Sequence, residues 1–232
     1  MSTRRAFLQQ GATGAALFGT MALPLALHPS PAAAAPAAPP NDSPATQDGW
    51  NLSWPSRITG KYKALFDVAE VESGFGVWRA AAWAGQYAQL MNVTAAQLSP
   101  VIVLRHNAII LAMQQSFWDK YGVGKAKGVM HPLTGQPLDQ NPVLLDEKDG
   151  IPAPFTNAGL HKQLASGVVV LACNLALGAF ILPFIKDKDK LGDDAAHRAA
   201  VEALVPGVIL QPSGVFAATR AQEAGCTYIR SA

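Results

Sequence analysis

Gly167-Val168-Val169-Val170-Leu171-Ala172-Cys173-Asn174 decides the fold. An unbroken apolar run led by three valines asks for a strand covered on both faces, because a half-exposed strand would alternate apolar with polar residues. Gly167 breaks the helix read over 157–166, and Asn174 is placed to cap a helix over about 175–185. A doubly buried strand between two helices belongs to a parallel sheet, whose crossovers need helices.

Working outward, the pattern repeats. Pro100 opens Val101-Ile102-Val103-Leu104, and Asn107 starts a helix carrying Ile109, Ile110, Met113 and Phe117. Residues 61–68 (KYKALFDV) form an earlier strand, followed by a helix over 74–91 with Trp78, Ala81, Ala82, Gly85, Ala88 and Met91 at helical spacing. Trp78 and Trp83 of that Ala-rich helix are expected to pack on the sheet. Downstream, Asp193 or Asp194 caps a helix to Leu204, and Pro206-Gly207 stops it before a strand at 208–210. Ser213 caps a last helix to Ala224, Gly225 supplies the left-handed position, and 226–230 closes the set as a short strand. The expected fold is α/β, a three-layer sandwich around a mainly parallel five-stranded sheet. Lys186-Asp187-Lys188-Asp189-Lys190 reads as a solvated turn. The Gly- and Pro-rich stretch 121–154 reads as a surface excursion from the domain.

The front of the chain reads as an address. Thr3-Arg4-Arg5-Ala6-Phe7-Leu8 precedes an uncharged run from 11 to 27 that contains Gly11, Gly14, Gly19 and Pro24. That layout resembles a twin-arginine signal peptide over 1–35, with small-x-small cleavage options just before Pro36. The run is shorter and milder than the roughly twenty apolar residues a membrane span needs, so no stable membrane anchor is expected. Residues 36–49 read as a flexible spacer and 50–232 as the folded domain. The implied location is periplasmic or secreted.

The 232 residues are 50% hydrophobic and 15% charged, which excludes a wholly disordered chain. Lys+Arg 18 against Asp+Glu 16 gives a formal charge of +2. Removing 1–35 takes Arg4 and Arg5 and no acid, bringing that charge to zero and leaving no electrostatic footprint for nucleic acid. Cys-x-x-Cys-His, His-Glu-x-x-His, Gly-x-Ser-x-Gly, the P-loop and the dinucleotide glycine fingerprint are absent. Met113, Met130, His106 and His131 match no tight metal-ligand spacing, so neither metal nor cofactor is expected.

Gly207-Val208-Ile209-Leu210-Gln211-Pro212-Ser213-Gly214-Val215, followed by Arg220-Ala221-Gln222-Glu223-Ala224-Gly225-Cys226-Thr227-Tyr228-Ile229, resembles the closing motif of the DsrE/DsrF-like family. Phe66-Asp67-Val68, the strand ending in His106 and the block 164–174 fall in the family's order, so the resemblance covers about 61–229. It implies a trimeric or hexameric α/β protein, and sulfur relay through a cysteine persulfide, with Cys173 at the sulfur-carrying position. It also implies sulfur donor and acceptor proteins as partners. Asn107 departs from the pattern, standing where a Gly often follows the His, and so does the long 121–154 stretch.

Two residues are candidates for chemistry. Cys173, at a strand's carboxyl end and before a helix, is where α/β sheets place ligands and where a helix N-terminus favours a thiolate; the other reading is an inert buried thiol. His106 ends a neighbouring strand and could assist a thiol or hold an anion, or act only as a cap or core residue. A Cys173–Cys226 disulfide is disfavoured, because a parallel sheet puts the two at opposite ends. Two functions stay open: a persulfide carrier on Cys173 assisted by His106, or a non-catalytic oligomer that binds a ligand or partner. Whether the protein is an enzyme is undecided by these residues.

Overall fold

All five strands run parallel: β1 (Tyr62–Val68), β2 (Leu98–Leu104), β3 (Val169–Cys173), β4 (Ile209–Gln211) and β5 (Thr227–Arg230), in the spatial order β4-β3-β2-β1-β5. This is a computed structural model, and it describes residues 49–232. The signal peptide read over 1–35 and the spacer up to residue 48 lie outside the described residues. The helices are α1 (Phe75–Leu90), α2 (Gln115–Tyr121), α3 (Val123–Lys127), α4 (Ala153–Thr156) and α5 (Leu160–Ala165). They continue with α6 over 174–189, α7 (Asp193–Glu202) and α8 (Gly214–Glu223).

From β1 to β4 the chain steps across the sheet in one direction, and α8 then carries it back past all of them to β5. Right-handed crossovers put connections of opposite direction on opposite faces. Accordingly Ala64, Phe66, Ile102, Leu104 and Val170 pack with Val77, Trp78 and Ala80 of α1. The alternate residues Leu65, Val101, Val103, Val169 and Leu171 pack with Ala217 and Ala221 of α8 and with Trp54. Both sheet faces are therefore buried, which is why the strands read as continuous apolar runs. Trp83 lies edge-on to Phe66 at 6.0 Å and so faces the sheet as expected, while Trp78 is buried in the same core with its ring edge-on to Phe75 at 5.7 Å.

Pro100 sits inside the central strand β2, where a missing N–H would normally cost a ladder bond. It is tolerated because the pairing of β3 begins only at Val101, leaving Pro100 beyond that strand's reach.

Four local expectations are corrected. Residues 186–189 are the last turn of helix α6 rather than a solvated turn, and Asp189 is held there by Lys120 and the Tyr121 hydroxyl. The single helix expected from Asn107 is a 3-10 segment, His106–Ala112, followed by a separate α2. Between them Met113 turns extended to bridge Leu204, and the buried Trp118 indole donates to the Ile110 carbonyl at 2.9 Å. Asn174 does not cap α6. Cys173 holds the cap position, and Asn174 Oδ1 meets His197 Nε2 at 2.7 Å. Nor is the excursion 121–154 confined to the surface. It supplies no strand to the sheet, yet Val123, Val143, Leu145 and Ile151 are buried in the main core. The fully buried Asn141 pins it there, its amide donating to the carbonyls of Leu111 at 3.0 Å and Met113 at 2.8 Å.

Candidate functional site

A parallel sheet presents its chemistry at the carboxyl ends of its strands, most openly where neighbouring connections leave for opposite faces. Here that place is between β3, which leads into α6, and β4, which leads into α8. Cys173 and Gln211 stand side by side there in register. The crevice is occupied by the protein itself. Gln211 is fully buried, accepts the Trp54 indole N–H at 3.0 Å and donates to the Asn51 carbonyl at 2.8 Å.

Cys173 is only 6% exposed and belongs to the main core, and its Sγ accepts the Ala176 N–H at 3.4 Å. Cys226, before β5, is equally buried in the other core cluster. Two strands separate β3 from β5 and both thiols are free, as the parallel topology requires. Burial pushes the Cys226 thiol up to about 11, with Lys63 opposing weakly.

His106 has a different environment. It follows β2 with a left-handed backbone, φ +49°, a conformation that costs a side-chain-bearing residue and persists only where neighbours impose it. Those neighbours are explicit. Glu70 Oε1 lies 3.1 Å from His106 Nδ1, Glu70 Oε2 accepts the Asn107 amide at 2.8 Å, and the Phe180 ring meets the imidazole edge-on at 5.0 Å. The imidazole is half exposed, and its Nε2 has no hydrogen-bond partner among the described residues. His106 and Cys173 thus end adjacent strands but share no bond. The histidine reaches α6 through Phe180 instead.

Phe180 lies in a π-helical segment, Leu177–Ile181, between the α-helical pieces Asn174–Ala176 and Leu182–Asp189 of α6. Such an inserted turn re-aims the side chains around it and recurs at functional sites. On this flank an open groove of about 510 Å³ is lined by Tyr121, Lys127, Phe180, Phe184, Asp187 and Lys188, among others. Phe117, buried beneath, holds Tyr121 at 4.5 Å and Phe184 at 6.4 Å between ring centres.

Beside these, Asp67 at the end of β1 is buried and receives Arg105 and the Tyr228 hydroxyl. Burial raises its carboxyl, but the hydrogen bonds from Arg105 and Tyr228 outweigh that and hold it below the ordinary carboxylate value. Among the described residues no three His, Cys, Asp or Glu side chains converge as a metal site, and no helix is long and apolar enough to cross a membrane.

Glu70, Phe180, Phe184 and Lys127 escaped the sequence reading. The i, i+4 spacing of Phe180 and Phe184 was their one signal, and it is what core residues show too.

No family model, no curated protein and no solved structure matches this chain.

Proposed function

We propose that this protein binds a small molecule on the α6 flank of its sheet and does so without a covalent thiol intermediate. One observation carries the choice: the sulfur of Cys173 is enclosed by the core, whereas the groove beside Phe180, with the oriented His106 next to it, is open. Pockets of 300–1,000 Å³ with aromatic walls and a few polar groups suit small ligands.

One contact favours a second reading, a persulfide carrier of the DsrE/DsrF-like kind. The Ala176 N–H points at Cys173 Sγ at the start of α6, an arrangement that stabilises a thiolate. In that chemistry the Cys173 thiolate attacks the outer sulfur of a donor persulfide. A new S–S bond forms on Cys173, the donor's S–S bond breaks, and the donor leaves as a thiolate with no net oxidation.

Intact mass of the native protein before and after polysulfide separates the two, with Cys173→Ser and Cys226→Ser beside the wild type. The binding reading expects no sulfur gain until the chain is unfolded. A gain in the native state that reductant reverses and only Cys173→Ser abolishes would overturn it in favour of the carrier.

Export belongs to the same proposal. The twin arginines and small-residue cleavage options support a periplasmic or secreted protein whose mature chain starts near Pro36. Export that survives Arg4→Lys with Arg5→Lys would count against the twin-arginine route.

A further inference from the structure

We infer that the groove on α6 selects a small amphipathic anion, an aromatic or similarly apolar body bearing one carboxylate or sulfonate. This deepens the binding reading and rests on it. The walls supply the apolar half: Phe180 and Phe184 stand one helical turn apart on α6, Pro183 lies between them, and Tyr121 closes the side from α2.

The charges decide the sign. Lys127, the last residue of α3, holds its ammonium 5.9 Å from the Phe180 ring centre and 5.6 Å from that of Phe184. No carboxylate among the described residues pairs with it. Lys188 donates to the Lys120 carbonyl and lies 6.0 Å over the Tyr121 ring, and its charge acts on Asp189, so Lys127 is the cation of the groove that no carboxylate offsets.

Two acids stand nearby, one engaged and one facing solvent at the groove's rim. Asp189 takes the Lys120 ammonium and the Tyr121 hydroxyl, each at 2.6 Å. Asp187 is 91% exposed and faces Lys190 at 3.6 Å. A cationic ligand would find the aromatic faces taken by Lys127. A neutral one would leave that ammonium with ring faces alone, while an anion pairs with it as its apolar body covers Phe180 and Phe184.

The test uses two fluorescent dyes of the same body on the full chain. 8-Anilino-1-naphthalenesulfonate carries the anion, and N-phenyl-1-naphthylamine lacks it. Lys127→Gln changes an exposed side chain and Phe184→Ala removes one wall, with circular dichroism confirming that both variants are folded.

The expected result is one sulfonate bound per chain, at least tenfold weaker in Lys127→Gln, with the neutral dye weaker throughout and indifferent to that substitution. Phe184→Ala should weaken both. Sulfonate affinity unchanged in Lys127→Gln, or both dyes unchanged in Phe184→Ala, would overturn the site. Equal binding of the two dyes, lost in Phe184→Ala, would overturn the anion preference while leaving the binding reading standing. No binding of either dye to the wild type would remove both.

Discussion

Arg105 grips Asp67 with two parallel hydrogen bonds, Nε to Oδ1 at 2.6 Å and Nη2 to Oδ2 at 2.8 Å, across the carboxyl ends of β2 and β1. The Asp67 side chain is 4% exposed and the Arg105 side chain 35%, so the carboxylate depends on its partners more than the guanidinium does. Removing the cation strands a buried charge, and Arg105→Leu is expected to cost about 3 kcal/mol. Tyr228→Phe removes one hydrogen bond of the three and is expected to cost about 1 kcal/mol. Urea denaturation of the two variants checks the order, and equal losses would contradict it.

The same carboxylate sets a response to acid. Its folded value lies below that of the unfolded chain, ordinarily about 3.9, so it contributes stability above about pH 4 that is lost as pH falls through the folded value. Asp67→Asn should start lower at neutral pH and then decline less steeply below pH 4 than the wild type. Urea midpoints measured across that range would show parallel curves if the pairing contributes nothing.

Cys226 governs the alkaline side. Its thiol stays protonated in the fold up to about 11, so the unfolded chain loses that proton first, and the stability it confers is lost between about pH 9 and pH 11. Cys226→Ala should lose less stability than the wild type over that interval. In the native protein at pH 8, N-ethylmaleimide should modify neither thiol at the rate of a free cysteine, because both are 6% exposed.

Gly124, in α3, is held by contact rather than by backbone angle. A Cβ there would lie 2.5 Å from the Asp139 Cα and closer still to the Leu138 carbonyl. Gly124→Ala must push 138–139 away from α3, and overpacking of this kind costs about 1–3 kcal/mol. Because Lys127 lies one turn farther along α3, sulfonate binding should weaken with it. A variant of wild-type stability would show that the segment gives way freely.

The sheet was legible because its faces are both covered: the runs at 101–104 and 168–172 have no reason to be so apolar otherwise. Ser213 and Gly225 were legible because caps are local chemistry, and both sit as expected, Ser213 Oγ accepting the Phe216 N–H at 3.0 Å and Gly225 at φ +91°. What escaped depends on distant parts of the chain. The helix after β2 divides because Met113 pairs with Leu204, and 121–154 packs inward because Asn141 finds two carbonyls some thirty residues earlier. Cys173 was placed correctly at a strand end, but a strand end does not determine whether a sulfur faces solvent. The groove joins α2, α3 and α6, and no spacing within one of them announces it.

The seat of β5 beside β1 has a consequence for synthesis. Ala64 through Asp67 pair with Thr227 through Arg230, so one side of the first strand made stays bare until the ribosome has delivered residues some 160 positions later. Asp67 waits equally long for the Tyr228 hydroxyl, and the Gly76 carbonyl for that of Ser231. Contacts so far apart in sequence form slowly. A nascent or prematurely terminated chain that lacks 227–231 therefore leaves β1 without its β5 neighbour and Asp67 short of one partner.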